Sequence, residues 1–193
     1  MINYCIDTQS PFGIVLLQEG QEAGACDVSP HCVGTAARIT NVERLPDGRI
    51  NIMVVGTQRF HVQQFNYSHR YLQAEVTPYP IINASTRRAS QLAQRVRPKI
   101  IEYVDAISDA SQSTLPLNKL PDDPAHLAFL IAMALRIDND DKQKLLALPG
   151  VPEILAREDY LLWRETALLH HMLQTQGALE TLSAGPTGHL FAN

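Results

Sequence analysis

The spacing of hydrophobic and polar positions changes near residue 80, and the change divides the chain into two parts. In the first part apolar residues come in short runs or alternate. Phe12 to Leu17 is rich in β-branched residues and predicts a strand buried on both faces, and Val33 to Val42 predicts another after a polar loop. Leu45-Pro46-Asp47-Gly48-Arg49 predicts a hairpin turn, because proline presets its φ and glycine tolerates positive φ. Beyond it Ile50, Ile52 and Val54 alternate with Arg49, Asn51 and Met53, a period of two that sets one face on a core. Gly56 interrupts the pattern as a bulge or corner, Phe60 and Val62 resume it, and Leu72, Ala74 and Val76 repeat it before Pro78 and Pro80. Short strands with no helix between them predict an antiparallel barrel or curled sheet rather than βαβ units.

After residue 80 the period is that of helices. Leu92, Val96, Ile100, Val104 and Ile107 make one stripe, with Pro98 inside it predicting a kink or a break into two helices. Residues 108–120 read as a linker or long loop. Asp123-Pro124 is an N-cap followed by proline at the first helical position, ahead of an apolar stripe of Leu127, Leu130, Ile131, Ala134 and Leu135. Asp140 and Gln143 have the spacing of a capping box for a short helix over 141–148, closed by Pro149-Gly150. A last helix, 152–174, carries Ile154, Leu155, Leu161, Leu162, Leu168 and Leu169, a face wide enough to require packing against other helices. The tail from Gly177 is expected to fray. The division is therefore 1–80 (β), 81–176 (helical bundle) and 177–193 (flexible tail).

Composition narrows the class. The 193 residues are 45% hydrophobic and 19% charged, with a net charge of −4, so no global positive field draws in nucleic acid. The longest apolar runs fall far short of the roughly 18 residues of a membrane span, and the N-terminus lacks the pattern of a secretory signal. Three cysteines, Cys5, Cys26 and Cys32, predict reduced thiols and a cytoplasmic protein.

Catalytic motifs are missing. There is no Gly-Lys pair for a phosphate loop, and no GxGxxG, GxSxG or HExxH. Cys26, His31 and Cys32 offer three ligands where a structural zinc site uses four, so no metal or cofactor is expected. Adjacent His170 and His171 on a helix point about 100° apart and read as solvated. His61 has no nucleophile evidently paired with it, and no catalytic residue is assigned. Arg87, Arg88, Arg95, Arg97 and Lys99 form the strongest charge cluster, and Arg88, Arg95 and Lys99 fall on one helical face that could meet phosphate. Nearby aromatic partners for bases are scarce, which favours a solvated face.

Phe12-Gly13-Ile14-Val15, then Val33-Gly34-Thr35-Ala36-Ala37 with Ile39, then Asp47-Gly48-Arg49, Gly56 and Arg59-Phe60 resemble, in order and spacing, the N-terminal domain of ATP-dependent Lon proteases. Asp123-Pro124, Leu127-Ala128, Ile131-Ala132, Lys142-Gln143 and Leu145-Leu146 continue the likeness, which covers about residues 1 to 174. The resemblance implies an α+β protein, a PUA-like antiparallel β-barrel followed by a helical bundle. In full-length proteases this region helps recognise substrate proteins and supports oligomer assembly. The matching residues are structural, and the AAA+ and Ser-Lys protease parts of the family are not in this sequence. The family's opening strand also lacks a counterpart, since residues 1–4 fall within its first helix. Two expectations follow equally: an open barrel, with an unpaired edge that favours strand addition or self-association, or a start codon upstream of residue 1 that would supply the strand.

The function implied is a non-enzymatic module that holds unfolded or extended polypeptide, as an adaptor to a protease or chaperone in protein quality control. The alternative is an RNA-binding PUA-like protein using helix 87–99 through Arg88, Arg95 and Lys99. A hydrolase or metal enzyme would rest only on scattered His and Cys residues.

Overall fold

The structure is a computed structural model and describes residues 1–19, 29–68, 71–111 and 119–183. Two compact units emerge, Met1–Ile81 with Ile137–Pro149, and Ile82–Arg136 with the chain from Gly150 onward.

The first unit begins with helix α1 (Ile2–Thr8), followed by strands β1 (Phe12–Ile14), β2 (Leu17–Glu19), β3 (Ser29–Pro30), β4 (Val33–Arg44), β5 (Ile50–Asn66) and β6 (Gln73–Pro78). All pairings are antiparallel: β1, β4, β5 and β6 form one four-stranded sheet in that order, and β2 pairs with β3 separately. Among the described residues neither sheet closes: β1 and β6 lie at opposite edges of an open sheet, so an open edge is present as expected and the PUA-like barrel itself is corrected to an open sheet. The fold class is α+β, an antiparallel sheet with helices after it.

The hairpin turn forms as its sequence demands. Gly48 takes φ 85°, Asp47 accepts hydrogen bonds from both the backbone and side chain of Arg49, and Leu45 N–H closes on the Arg49 carbonyl at 2.9 Å. The sheet's core is concentrated where β1, β4, β5 and β6 overlap: Val33, Ala37, Phe60 and Val62 are buried there. Gly34 lies at its tightest point, since a Cβ there would come within 2.6 Å of both the Ile14 carbonyl oxygen and the Phe60 ring. Three expectations change. Phe12 to Leu17 is two short strands rather than one doubly buried strand, with Ile14 exposed. Val76 and Val54 are exposed despite their alternation: Val76 lies on the edge strand β6, and Val54 on the stretch of β5 that runs beyond both β1 and β6.

Helix α4 (Asn139–Ala147) belongs with the sheet. Its N-cap is Asp138, which accepts from Asp141 N–H at 2.7 Å, in place of the expected Asp140. Gln143 is instead buried and donates through Nε2 to the Val33 carbonyl at 2.9 Å.

The second unit holds α2 (Arg87–Ser111), α3 (Pro124–Ala134) and α5 (Val151–Ser183). Helix α2 runs unbroken through Pro98, which corrects the expected break: the proline faces outward on an exposed position while Val96, Ile100, Val104 and Ile107 bury the opposite stripe. Asp123 caps α3 as expected, accepting from His126 N–H, and Leu127, Ile131 and Leu135 are buried behind it. Helix α5 buries Ile154, Leu155, Leu161 and Leu162, whereas Leu168 is exposed, and it continues past Gln174 to Ser183. Residues 112–118 of the expected linker and 184–193 of the expected tail lie outside the described residues.

Candidate polypeptide-binding surface

The distal half of the β4–β5 hairpin is a two-stranded ribbon. β1 pairs only with Thr35–Ala37 of β4, and β6 only with Phe60–Asn66 of β5, so both strands run on beyond their outer neighbours. The register sets Ile39 opposite Val54, Val42 opposite Ile52 and Arg44 opposite Ile50. Directly paired residues share a face, so Ile39, Val42, Ile50, Ile52 and Val54 form one aliphatic surface. All five are half-buried or exposed. On the reverse face Met53 is 65% and Val55 is 55% exposed, beside an Asn51 Nδ2 hydrogen bond to Glu43 at 3.2 Å.

Helix α1 supplies a second wall. Cys5, Ile6 and Gln9 line a cleft of about 230 Å³ with Arg38, Ile39, Thr40, Asn41 and Val42. This cleft joins the aliphatic surface through Ile39 and Val42 and is large enough for an apolar side chain. Alternation predicted that Ile50, Ile52 and Val54 share a face set on a core; the register adds Ile39 and Val42 to that face, which is half-buried to exposed instead.

Arg59 ties β5 to the end of α4. Its side chain is buried, its Nη1 donates to the Leu146 and Leu148 carbonyls at 2.6 and 2.7 Å, and Nη2 reaches Pro80 and Pro149 carbonyls at 3.3 and 3.4 Å. The guanidinium stacks 4.6 Å from the Tyr79 ring centre, and the Tyr79 hydroxyl donates to the Ala147 carbonyl at 3.0 Å. Burial lowers the Arg59 pKa from its usual value, although carbonyls absorb its charge from several sides. Sequence placed Arg59 in the family pattern without revealing that it clamps the end of α4.

The basic residues on α2 have different company. Arg95 and Lys99 both bridge Asp159 of α5, at 2.7 and 2.6 Å. Arg88 is exposed nearer the helix start. Arg97 contacts the Pro121 carbonyl and lies 3.8 Å from Asp122. The three residues singled out for phosphate thus divide into one exposed cation and two already bound to a carboxylate. Next to Asp159, Glu158 is fully buried, and desolvation pushes its pKa to about 9.

His61 faces Tyr79 edge-on, with ring centres 6.3 Å apart. Cys5 is buried and Cys32 exposed, both reduced; Cys26, from the weighed metal cluster, lies outside the described residues. Among the described residues, no group of three or more His, Cys, Asp or Glu is placed to hold a metal ion. No described helix is long and apolar enough to cross a membrane.

The described residues thus form an open antiparallel sheet with an aliphatic ribbon on its β4–β5 hairpin, and a separate set of helices. The chain belongs to the family of the ATP-dependent protease La (LON) substrate-binding domain, whose model matches residues 1–162. A Lon protease of Trichlorobacter lovleyi is 26% identical over 172 residues, 86% of this chain and 21% of that protein. Lon protease 2 of Herpetosiphon aurantiacus is 30% identical over 153 residues, 75% of this chain and 18% of that protein. The chain therefore spans about a fifth of the length of such relatives. Among solved structures, the Lon N-terminal domain protein from Xanthomonas campestris superposes with a TM-score of 0.57 at 20% identity, covering 81% of this chain and 78% of that one. The N-terminal domain of the Mycobacterium avium complex Lon protease gives 0.56 at 19% identity, over 79% and 90%. The family's domain is the non-catalytic part of Lon.

Proposed function

We propose that this chain is a non-catalytic protein-binding module that holds extended or unfolded polypeptide, acting as an adaptor in cytoplasmic protein quality control beside a protease or chaperone. The observation that carries this reading is the half-buried to exposed aliphatic face of Ile39, Val42, Ile50, Ile52 and Val54, continuous with the α1 cleft. An extended segment laid along it gains affinity from apolar burial, about 25 cal/mol per Å² before the cost of ordering the bound chain. Family membership supports the same reading, and so does the absence from the sequence of nucleotide-hydrolysis and protease motifs.

The test is titration of a fluorescent unfolded polypeptide against the wild-type chain and Val42→Lys. The substitution places an ammonium group on the aliphatic face, and affinity should fall about tenfold, the equivalent of one lost apolar anchor. Circular dichroism and thermal unfolding establish whether the variant remains folded. Equal affinity of folded wild type and variant would remove this face from the function.

A further inference from the structure

We propose that the outer edge of β5, from Ile50 to Gln58, pairs with the same edge of a second copy, joining two sheets in an antiparallel, twofold contact centred on Met53. The proposal concerns backbone pairing along an edge and stands apart from the polypeptide reading, which concerns a side-chain face.

Hydrogen bonds fix which groups point outward. The Arg49 carbonyl accepts from Leu45 N–H and the Met53 carbonyl from Thr40 Oγ1, so both face β4. Backbone groups alternate between the two sides of a strand, so Ile50, Ile52 and Val54 direct their N–H and C=O to the outer side. The bulge at Gly56 to Gln58 reverses the phase, and the Arg59 carbonyl then accepts from Tyr79 N–H just past β6. Among the described residues, no strand pairs with the outer side of Ile50–Gln58.

The other edges are guarded. The free stretch of β4 carries Arg38, Glu43 and Arg44, and α1 residues stand beside it across the cleft. β6 carries Glu75 and ends on Pro78, and β1 has three residues. Charge, proline, cover and shortness are the usual defences of an exposed edge. Ile50-Asn51-Ile52-Met53-Val54-Val55-Gly56-Thr57-Gln58 has no charge and no proline.

That segment is its own complement. Pairing about Met53 puts Ile52 against Val54 and Ile50 against Gly56, all with outward-pointing backbone groups. Asn51 then meets Val55, and Arg49 meets Thr57, so no two like charges oppose each other. A second copy therefore brings a matching unguarded edge.

Sedimentation velocity across micromolar to submillimolar concentrations should show a monomer–dimer equilibrium. Met53→Asp sets two carboxylates opposite each other at the twofold axis and should raise the dimer dissociation constant at least about tenfold, while leaving the aliphatic face and polypeptide binding intact. Register is read by oxidation of a chain with Cys26 and Cys32 replaced by serine. Met53→Cys should form a disulfide-linked dimer, because its Cα meets its own copy at the close, non-hydrogen-bonded distance. Val55→Cys should not, because the two copies of residue 55 stand about 13 Å apart along the strands. A purely monomeric wild type, a dimer indifferent to Met53→Asp, or equal crosslinking of both cysteines would overturn the proposal.

Discussion

At the scale of single residues, the strongest anomaly is Glu158, a carboxylic acid with none of its surface exposed and a pKa of about 9. Its neutral form suits its surroundings, and its ionised form does not. In the unfolded chain the group titrates near 4.5, so between the two values the unfolded state releases a proton that the folded state keeps. Stability linked to Glu158 is therefore fully present below about pH 4.5 and is lost as pH rises toward 9. Glu158→Gln retains the shape and removes the titration. Melting temperatures measured from pH 5 to pH 9 should fall less steeply for the variant than for wild type, and parallel slopes would refute this assignment. Phe60 makes the contrasting case at this scale: alternation alone marked it as a core residue, and it is buried against the Gly34 backbone.

At the scale of elements, local patterns were legible and their partners were not. The Pro46-Asp47-Gly48 turn, the Asp123 cap and the buried stripe of α2 depend on neighbouring residues, so the sequence contains them in full. Of the kink or break that Pro98 suggests, the break does not occur, because the proline removes one N–H on an outward position, a loss a long packed helix tolerates. Association of α4 with the sheet depends on contacts about ninety residues apart in sequence, chiefly Arg59 on the Leu146 and Leu148 carbonyls, which no local period records. Arg59→Lys tests that clamp. A lysine has one compact donor group where arginine has a planar fork, so the loss should be about 1.5–3 kcal/mol in chemical denaturation. Hydrogen exchange at Leu145 to Leu148 should accelerate by more than at the α2 core, whereas uniform acceleration would mean that Arg59 does not hold α4 locally.

At the scale of the whole molecule, charge decides between polypeptide and RNA. A net charge of −4 provides no general attraction for phosphate, and of the three cations on the α2 face, Arg95 and Lys99 are committed to Asp159. The aliphatic face instead joins five uncharged residues from two strands, with Arg44 opposite Ile50 at its end. Sequence showed the alternation of β5 and the cluster of positive charge, but not that the register adds Ile39 and Val42 to one face, nor that Asp159 of α5 pairs with both Arg95 and Lys99 on the other. The two readings differ in salt dependence. Three phosphate contacts to single-stranded RNA would release counterions with a slope of about 2 in log–log terms, so raising salt sixfold would weaken binding about fortyfold. Apolar docking releases few ions, and polypeptide affinity should change by less than about threefold over the same range. Anisotropy titrations at both salt concentrations, with Arg88→Glu as a companion, separate the readings. Salt-resistant polypeptide binding unaffected by Arg88→Glu agrees with the aliphatic face, whereas steep salt sensitivity lost in Arg88→Glu would transfer the function to α2.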